Sequence, residues 1–220
     1  MPEPFPRGRR WPVWALVAAV LLTGTAVAVG LVARSPDRTT VAPRPTPSPT
    51  QLEDVDLSNL PIARGPFCDA LDDGEVEDAL GAELADTGHY DSGVRAAMSP
   101  RVRDLSHEYN CTFRAGTGAQ ARAWVFAEPV TPRVARTILR DTRGQKGCRP
   151  LAGAPTFGTP SDASRCRTRG GGRSVTLRGL FGDAWLTCQL SRPPSESAPE
   201  TVRRAQQWCV RVATRLGARS

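Results

Sequence analysis

Residues 174–190 read SVTLRGLFGDAWLTCQL, and this stretch decides the fold. Two strand-like segments, 174–180 and 184–190, flank Phe181-Gly182-Asp183. Gly beside Asp between two strand-like runs is hairpin chemistry, because glycine enters the positive-φ conformations that a tight antiparallel turn requires. In the second run Leu186, Cys188 and Leu190 share one face, the period of a half-buried strand. An antiparallel pair late in the chain sets the frame for what surrounds it.

Upstream, Tyr109, Cys111 and Phe113 alternate with Asn110, Thr112 and Arg114. The turn-rich 114–120 follows, and then 121–127, so a second hairpin is predicted. A short edge strand is expected at 164–169. Asp72-Asp73-Gly74-Glu75 resembles a capping box opening a helix through Leu80, stopped by Gly81. Val134, Ile138 and Leu139 predict a helix over 131–142 with Thr131 as cap. Downstream, Val202, Ala205, Cys209, Val212, Ala213 and Leu216 form one stripe of a helix over 199–216. Residues 86–106 show no period and read as a loop. Hairpins with helices at intervals, and no alternating βαβ units, give an α+β class: a mainly antiparallel sheet with helices on one face.

The six cysteines all lie in this part of the chain: Cys68, Cys111, Cys148, Cys166, Cys188 and Cys209. An even number in one domain predicts three disulfides. Fifteen pairings are open to six cysteines, and sequence alone does not select one. Cys188 on a buried strand face and Cys209 on a buried helix stripe form the preferred pair. Cys111 and Cys68 form the next, which leaves Cys148 with Cys166. No CxxC spacing occurs, and neither His89 nor His107 stands at a ligand spacing from a cysteine, so no zinc site and no cofactor are expected.

Residues 11–33, WPVWALVAAVLLTGTAVAVGLVA, carry no charge over 23 positions. A helix rising about 1.5 Å per residue then covers the ~30 Å hydrocarbon core. Arg7, Arg9 and Arg10 precede it, and favour a cytoplasmic amino terminus at residues 1–10 and a single-pass anchor. A cleaved signal ending near Ala26-Val27-Ala28 is the competing reading, but the apolar run is long for one. The first cysteine is Cys68, too far along to serve as a lipid-modified amino terminus. Both readings place the remainder outside the membrane. Residues 34–60, containing VAPRPTPSPT, are expected to be a polyproline-like linker, and 61–220 the extracytoplasmic disulfide-bonded domain.

Charge is unevenly distributed. Residues 60–113 hold eleven acids and four arginines, whereas 114–220 hold nineteen bases and six acids. Either the basic half contacts anionic polymers or headgroups, or the two halves face each other and cancel. Nucleic acid is not an expected partner, because no aromatic-interleaved basic motif occurs. Gly170-Gly171-Gly172 lies between Arg165, Arg167, Arg169 and Arg173. Arg167, Arg169, Gly171 and Arg173 are therefore the candidate anion-binding set, against the plainer reading of a flexible turn.

No GxSxG, HExxH or phosphate-loop motif is present, so no catalytic residue is assigned. His89-Tyr90-Asp91 stands without a marked nucleophile, and Glu75, Glu77, Asp78 and Glu83 read as a solvated helix face. Asn110-Cys111-Thr112 matches a glycosylation sequon, discounted because Cys111 is expected in a disulfide.

The segments FCDALDDGEVEDALG, YNCTF, DAWLTCQL and QQWCVRVATRL resemble secreted or membrane-anchored actinobacterial domains of unknown function, over roughly residues 67–216. Many of those carry a lipobox cysteine, which this chain replaces with the apolar helix. The pattern is also similar, more distantly, to extracytoplasmic sensor domains of receptor kinases. That resemblance implies a role in binding a ligand or protein partner. The expected function is a non-enzymatic, membrane-anchored interaction module of the bacterial cell envelope. A cell-envelope hydrolase and a structural subunit of a membrane complex are the alternatives.

Overall fold

A computed structural model describes residues 52–57, 59–99 and 102–219. The expected tail at 1–10, the anchor at 11–33 and the linker as far as 51 lie outside the described residues. Among the described residues, no helix is long and apolar enough to cross a membrane.

The late hairpin forms as expected. β8 (Arg173–Phe181) and β9 (Ala184–Arg192) pair through Phe181 opposite Ala184, leaving a two-residue loop with Gly182 at φ +61°. β4 (Glu108–Ala115) and β5 (Gln120–Phe126) form the second hairpin. β5 docks on β9, so the two hairpins fuse, and with β1 (Leu84–Tyr90), β6 (Cys148–Pro150) and β7 (Ser161–Arg167) they make one seven-stranded antiparallel sheet of order β1-β4-β5-β9-β8-β7-β6.

Three expectations are corrected. Residues 86–106 are not a loop: β1 (Leu84–Tyr90) pairs with β4, and β2 (Arg95–Ser99) and β3 (Val102–Leu105) form a separate two-stranded sheet. β1 is an edge strand with mostly exposed side chains, so apolar alternation could not reveal it. The strand expected at the other edge, β7 (Ser161–Arg167), lies inside; the edge is the three-residue β6 (Cys148–Pro150). The folded region also begins before residue 61, because Leu52 and Leu57 are buried in the main core and Leu52–Asp54 form a 3-10 turn.

The three helices start where the caps indicate. Asp72 accepts from the N–H groups of Gly74 and Glu75 ahead of α1 (Asp73–Leu80), which ends on left-handed Gly81 at φ +57°. Thr131 caps α2 (Pro132–Arg143), and Ser197 caps α3 (Ala198–Gly217). One sheet face carries Cys111, Phe113, Val125, Val175, Leu177, Leu186 and Leu190 against buried residues of α1 and α3. Alanines at 121 and 123 leave depth on β5. Buried Trp208 of α3 donates its indole N–H to the Arg122 carbonyl between them (3.0 Å) and meets Phe113 edge-on.

The opposite face is covered too, which corrects the one-sided arrangement. Ala135 and Leu139 of α2, with Val130, pack on Leu180 and Trp185 as a second, smaller cluster. Trp185 alternates with Leu186 and so points away from α3.

All three disulfides join the preferred pairs: Cys68–Cys111, Cys148–Cys166 and Cys188–Cys209, with Cα separations of 5.5, 4.0 and 5.7 Å. Cys111, Cys188 and Cys209 are fully buried, so two bridges reach into the core. Cys148–Cys166 instead ties the short edge strand to its neighbour, residue opposite residue.

Candidate functional site

Where β6 leaves the sheet edge thin, α3 begins. Between them lies a cavity of about 500 Å³ lined by Arg149, Arg165, Arg167 and Arg173, the Cys148–Cys166 bridge, and Ala198, Thr201 and Val202 of the first turns of α3. Register explains the clustering. Arg149 stands opposite Arg165, and Arg165 opposite Val175, a core residue on the α3 side. Two residues along, Arg167 stands opposite Arg173 on the same face. Four arginines therefore line the sheet face where the helix has not yet covered the strands.

Some arginines of the domain find carboxylate partners, and these four do not. Arg192 pairs with Glu196, Arg203 and Arg204 with Glu200, Arg211 with Asp78, Arg215 with Glu75, and Arg64 with Asp183. Among the described residues, Arg149, Arg165 and Arg167 form no ion pair, and Arg173 donates only to the Glu196 backbone carbonyl (2.8 Å). The Glu196 carboxylate is already occupied by Arg192 and the Thr201 hydroxyl. Hydrogen bonds from Arg203 lead in holding Glu200 down to about 2, so it stays ionised beside its own arginines. Among the described residues, no carboxylate lines the cavity. An anion entering it meets charged, forked donors, of which only Arg173 is already engaged, and guanidinium groups match carboxylate or phosphate oxygens.

The candidate set read from the sequence divides. Arg167 and Arg173 enter this cavity. Arg169, with Gly170 and Gly172, lines a second one of about 460 Å³ at the strand ends, beside Arg114, Arg192 and Pro193. Gly171 lines neither, and its N–H closes the turn by donating to the Thr168 carbonyl (3.2 Å). The glycine run is a turn with φ of +81° and +82° at Gly170 and Gly171, not a cradle shared by all four residues. Arg149 and Arg165, the latter already noted beside the glycine run, stand outside that candidate set. Two signals pointed to them: Arg165 and Arg167 alternate on one strand face, and pairing Cys148 with Cys166 sets 149 against 165.

The other candidates do not assemble a catalytic group. His89 is exposed on β1 and hydrogen-bonds neither Asp91 nor a hydroxyl. Tyr90 instead donates its hydroxyl to Glu108. Burial pushes the Glu108 carboxyl up, while the Tyr90 hydrogen bond and the Arg122 charge oppose that rise. Burial is also the leading cause of the upward shift at the Tyr90 phenol. Glu75 and Asp78 are not a free solvated face, since they bind Arg215 and Arg211 of α3. Asn110 of the sequon is 2 % exposed, closed to a glycan. Among the described residues no three His, Cys, Asp or Glu side chains converge for a metal.

No protein-family model matches the chain, and no curated protein sequence matches it.

Proposed function

We propose that the chain is a membrane-tethered, extracytoplasmic binding module of a bacterial cell envelope, and that its edge cavity receives an anionic group of an envelope ligand. The observation carrying this reading is the set of four arginines around one cavity that no carboxylate lines among the described residues. Three disulfides favour an oxidising compartment, and the apolar run at 11–33 favours a tether. The resemblance to secreted and membrane-anchored actinobacterial domains points the same way.

The hydrolase alternative gains nothing from Glu108, whose partner is a tyrosine rather than a second carboxylate. A structural subunit calls for an apolar docking face, yet the large apolar side chains exposed among the described residues are Val94, Leu105 and Val134. Calorimetric titration of the full-length protein in detergent with tripolyphosphate tests the reading. Binding that falls at least tenfold in Arg165→Gln/Arg167→Gln is expected. Equal binding by the wild type and this variant would refute it.

A further inference from the structure

A second set of arginines without ion pairs lies on α2. On α2, Arg133, Arg136, Arg140 and Arg143 recur at intervals of three, four and three residues. At about 100° per residue these positions fall on one flank of the helix. Asp141, the acid of this helix, falls on the other flank. All four arginines are exposed, and none forms an ion pair among the described residues; Arg140 donates only to the Thr137 hydroxyl at 3.1 Å.

Helix stability does not explain the row. Cations in the last turn, as at Arg140 and Arg143, favour the negative end of the helix dipole, but Arg133 sits in the first turn, where a cation is unfavourable. Like charges three and four residues apart also repel. The row therefore works against the helix until a counter-charge arrives. Core contacts do not require it either, since α2 packs through Ala135 and Leu139 on a different side.

α2 covers the sheet face opposite α3, so a path from the row to the cavity passes around the short β6 edge. α2 ends at Arg143, and four residues later Gly147 lines the cavity, with Lys146 between. Four residues of chain span at most about 14 Å, so the last arginine of the row and the cavity rim lie within that reach. The row itself extends about 15 Å along the helix axis.

We propose that the α2 arginine row and the edge cavity form one track for a linear phosphate-bearing polyanion, an end or branch phosphate seated in the cavity and successive phosphates running along α2. This rests on the anionic reading of the cavity and adds the form of the ligand. A line of cations suits a linear polymer better than a compact anion, and guanidinium groups match phosphate oxygens in a two-pronged fashion. Each added phosphate contact then occurs at high effective concentration once the first is made.

The test uses full-length protein in detergent with tripolyphosphate and long-chain inorganic polyphosphate, compared per mole of phosphate. The wild type should bind the long chain at least tenfold more tightly. Arg136→Gln/Arg140→Gln/Arg143→Gln should keep tripolyphosphate binding and lose that gain, with a salt dependence shallower than that of the wild type. Equal affinity for both lengths, or a gain that survives the triple variant, overturns the track while leaving the cavity reading intact. Absent tripolyphosphate binding overturns both. Vesicles containing anionic phospholipid form the third arm: binding to them that depends on the row, without length-dependent polyphosphate binding, would assign the surface to lipid headgroups and overturn the proposal.

Discussion

Removing the edge disulfide should separate stability from binding. Cys148→Ala/Cys166→Ala opens a loop of 18 residues' separation, and Cys188→Ala/Cys209→Ala one of 21. Chain entropy makes either bridge worth about 3 kcal/mol, and the small difference in loop length adds only about 0.1 kcal/mol. Burial then decides. Cys188 and Cys209 are both 0 % exposed in the main core, so truncating them also deletes packed atoms, at about 1 kcal/mol each. The core pair should therefore cost about 5 kcal/mol and the edge pair about 3 kcal/mol or less. For a domain of this size the edge loss corresponds to roughly 6–12 °C in Tm. Affinity should follow the reverse order. β6 holds to the sheet through a single neighbour over three residues, and it carries Arg149 into the cavity. Without the bridge this strand frays, and tripolyphosphate binding should weaken severalfold, whereas any folded fraction of the core variant binds normally. Urea unfolding followed by fluorescence of buried Trp185 and Trp208, with calorimetry on the same samples, measures both. If the edge variant binds as tightly as the wild type, neither the bridge nor Arg149 shapes a binding site, and the reasoning fails.

Other outcomes follow from the packing and the charges. Trp208→Ala should cost about 3–5 kcal/mol, because a fully buried indole that also satisfies the Arg122 carbonyl is lost; a urea midpoint unchanged from wild type would contradict its central place. Gly179→Ala should be strongly destabilising, since a Cβ there would stand 1.7 Å from the Phe157 carbonyl oxygen, and a melting curve overlapping the wild type would refute that close approach. At Glu108 the folded carboxyl binds its proton more readily than the unfolded one, so its contribution is present at low pH and fades as pH rises from the ordinary carboxylate range through the raised value. Glu108→Gln should flatten that decline, a comparison made by melting both proteins across pH 4–8; parallel curves would argue against a buried, protonatable carboxyl.

How far the residues alone revealed this architecture follows from what each signal measures. Caps at Asp72 and Thr131, and the Gly182 turn, are local chemistry, and they reported element starts faithfully. Apolar alternation reports burial on one face, so it found β4, β5, β8 and β9 in the centre of the sheet. It was silent for β1, which gains its hydrogen bonds from β4 while keeping most side chains in water. It misread the outer part of the sheet, because β7 is polar yet interior and β6 is only three residues long. The site suffered for the same reason. Three of its four arginines come from the two strands without an apolar signature, and neighbours in sequence such as Arg167 and Arg169 separate once the strand ends between them.

Strand order turns the charge asymmetry of the sequence into a spatial one. The acid-rich segment supplies α1, β1 and β4, which lie toward one edge of the sheet, and the basic segment supplies β6 and β7 at the other. α3 is basic but packs beside α1, so Arg211 and Arg215 meet Asp78 and Glu75, and there the two halves do cancel. Among the described residues, no acid-rich segment returns to the β6 edge. Surface pairs such as Arg215–Glu75 are worth about 0.2–1 kcal/mol each, so neutralising Glu75 and Asp78 with glutamine should lower stability only slightly. It should leave tripolyphosphate binding unchanged in 0.15 M salt, where the Debye length is about 8 Å and charges at the far edge are screened. A large affinity gain in that double variant would mean that the acids hold the cavity in check through the whole-domain field, and that local pairing does not account for the free arginines.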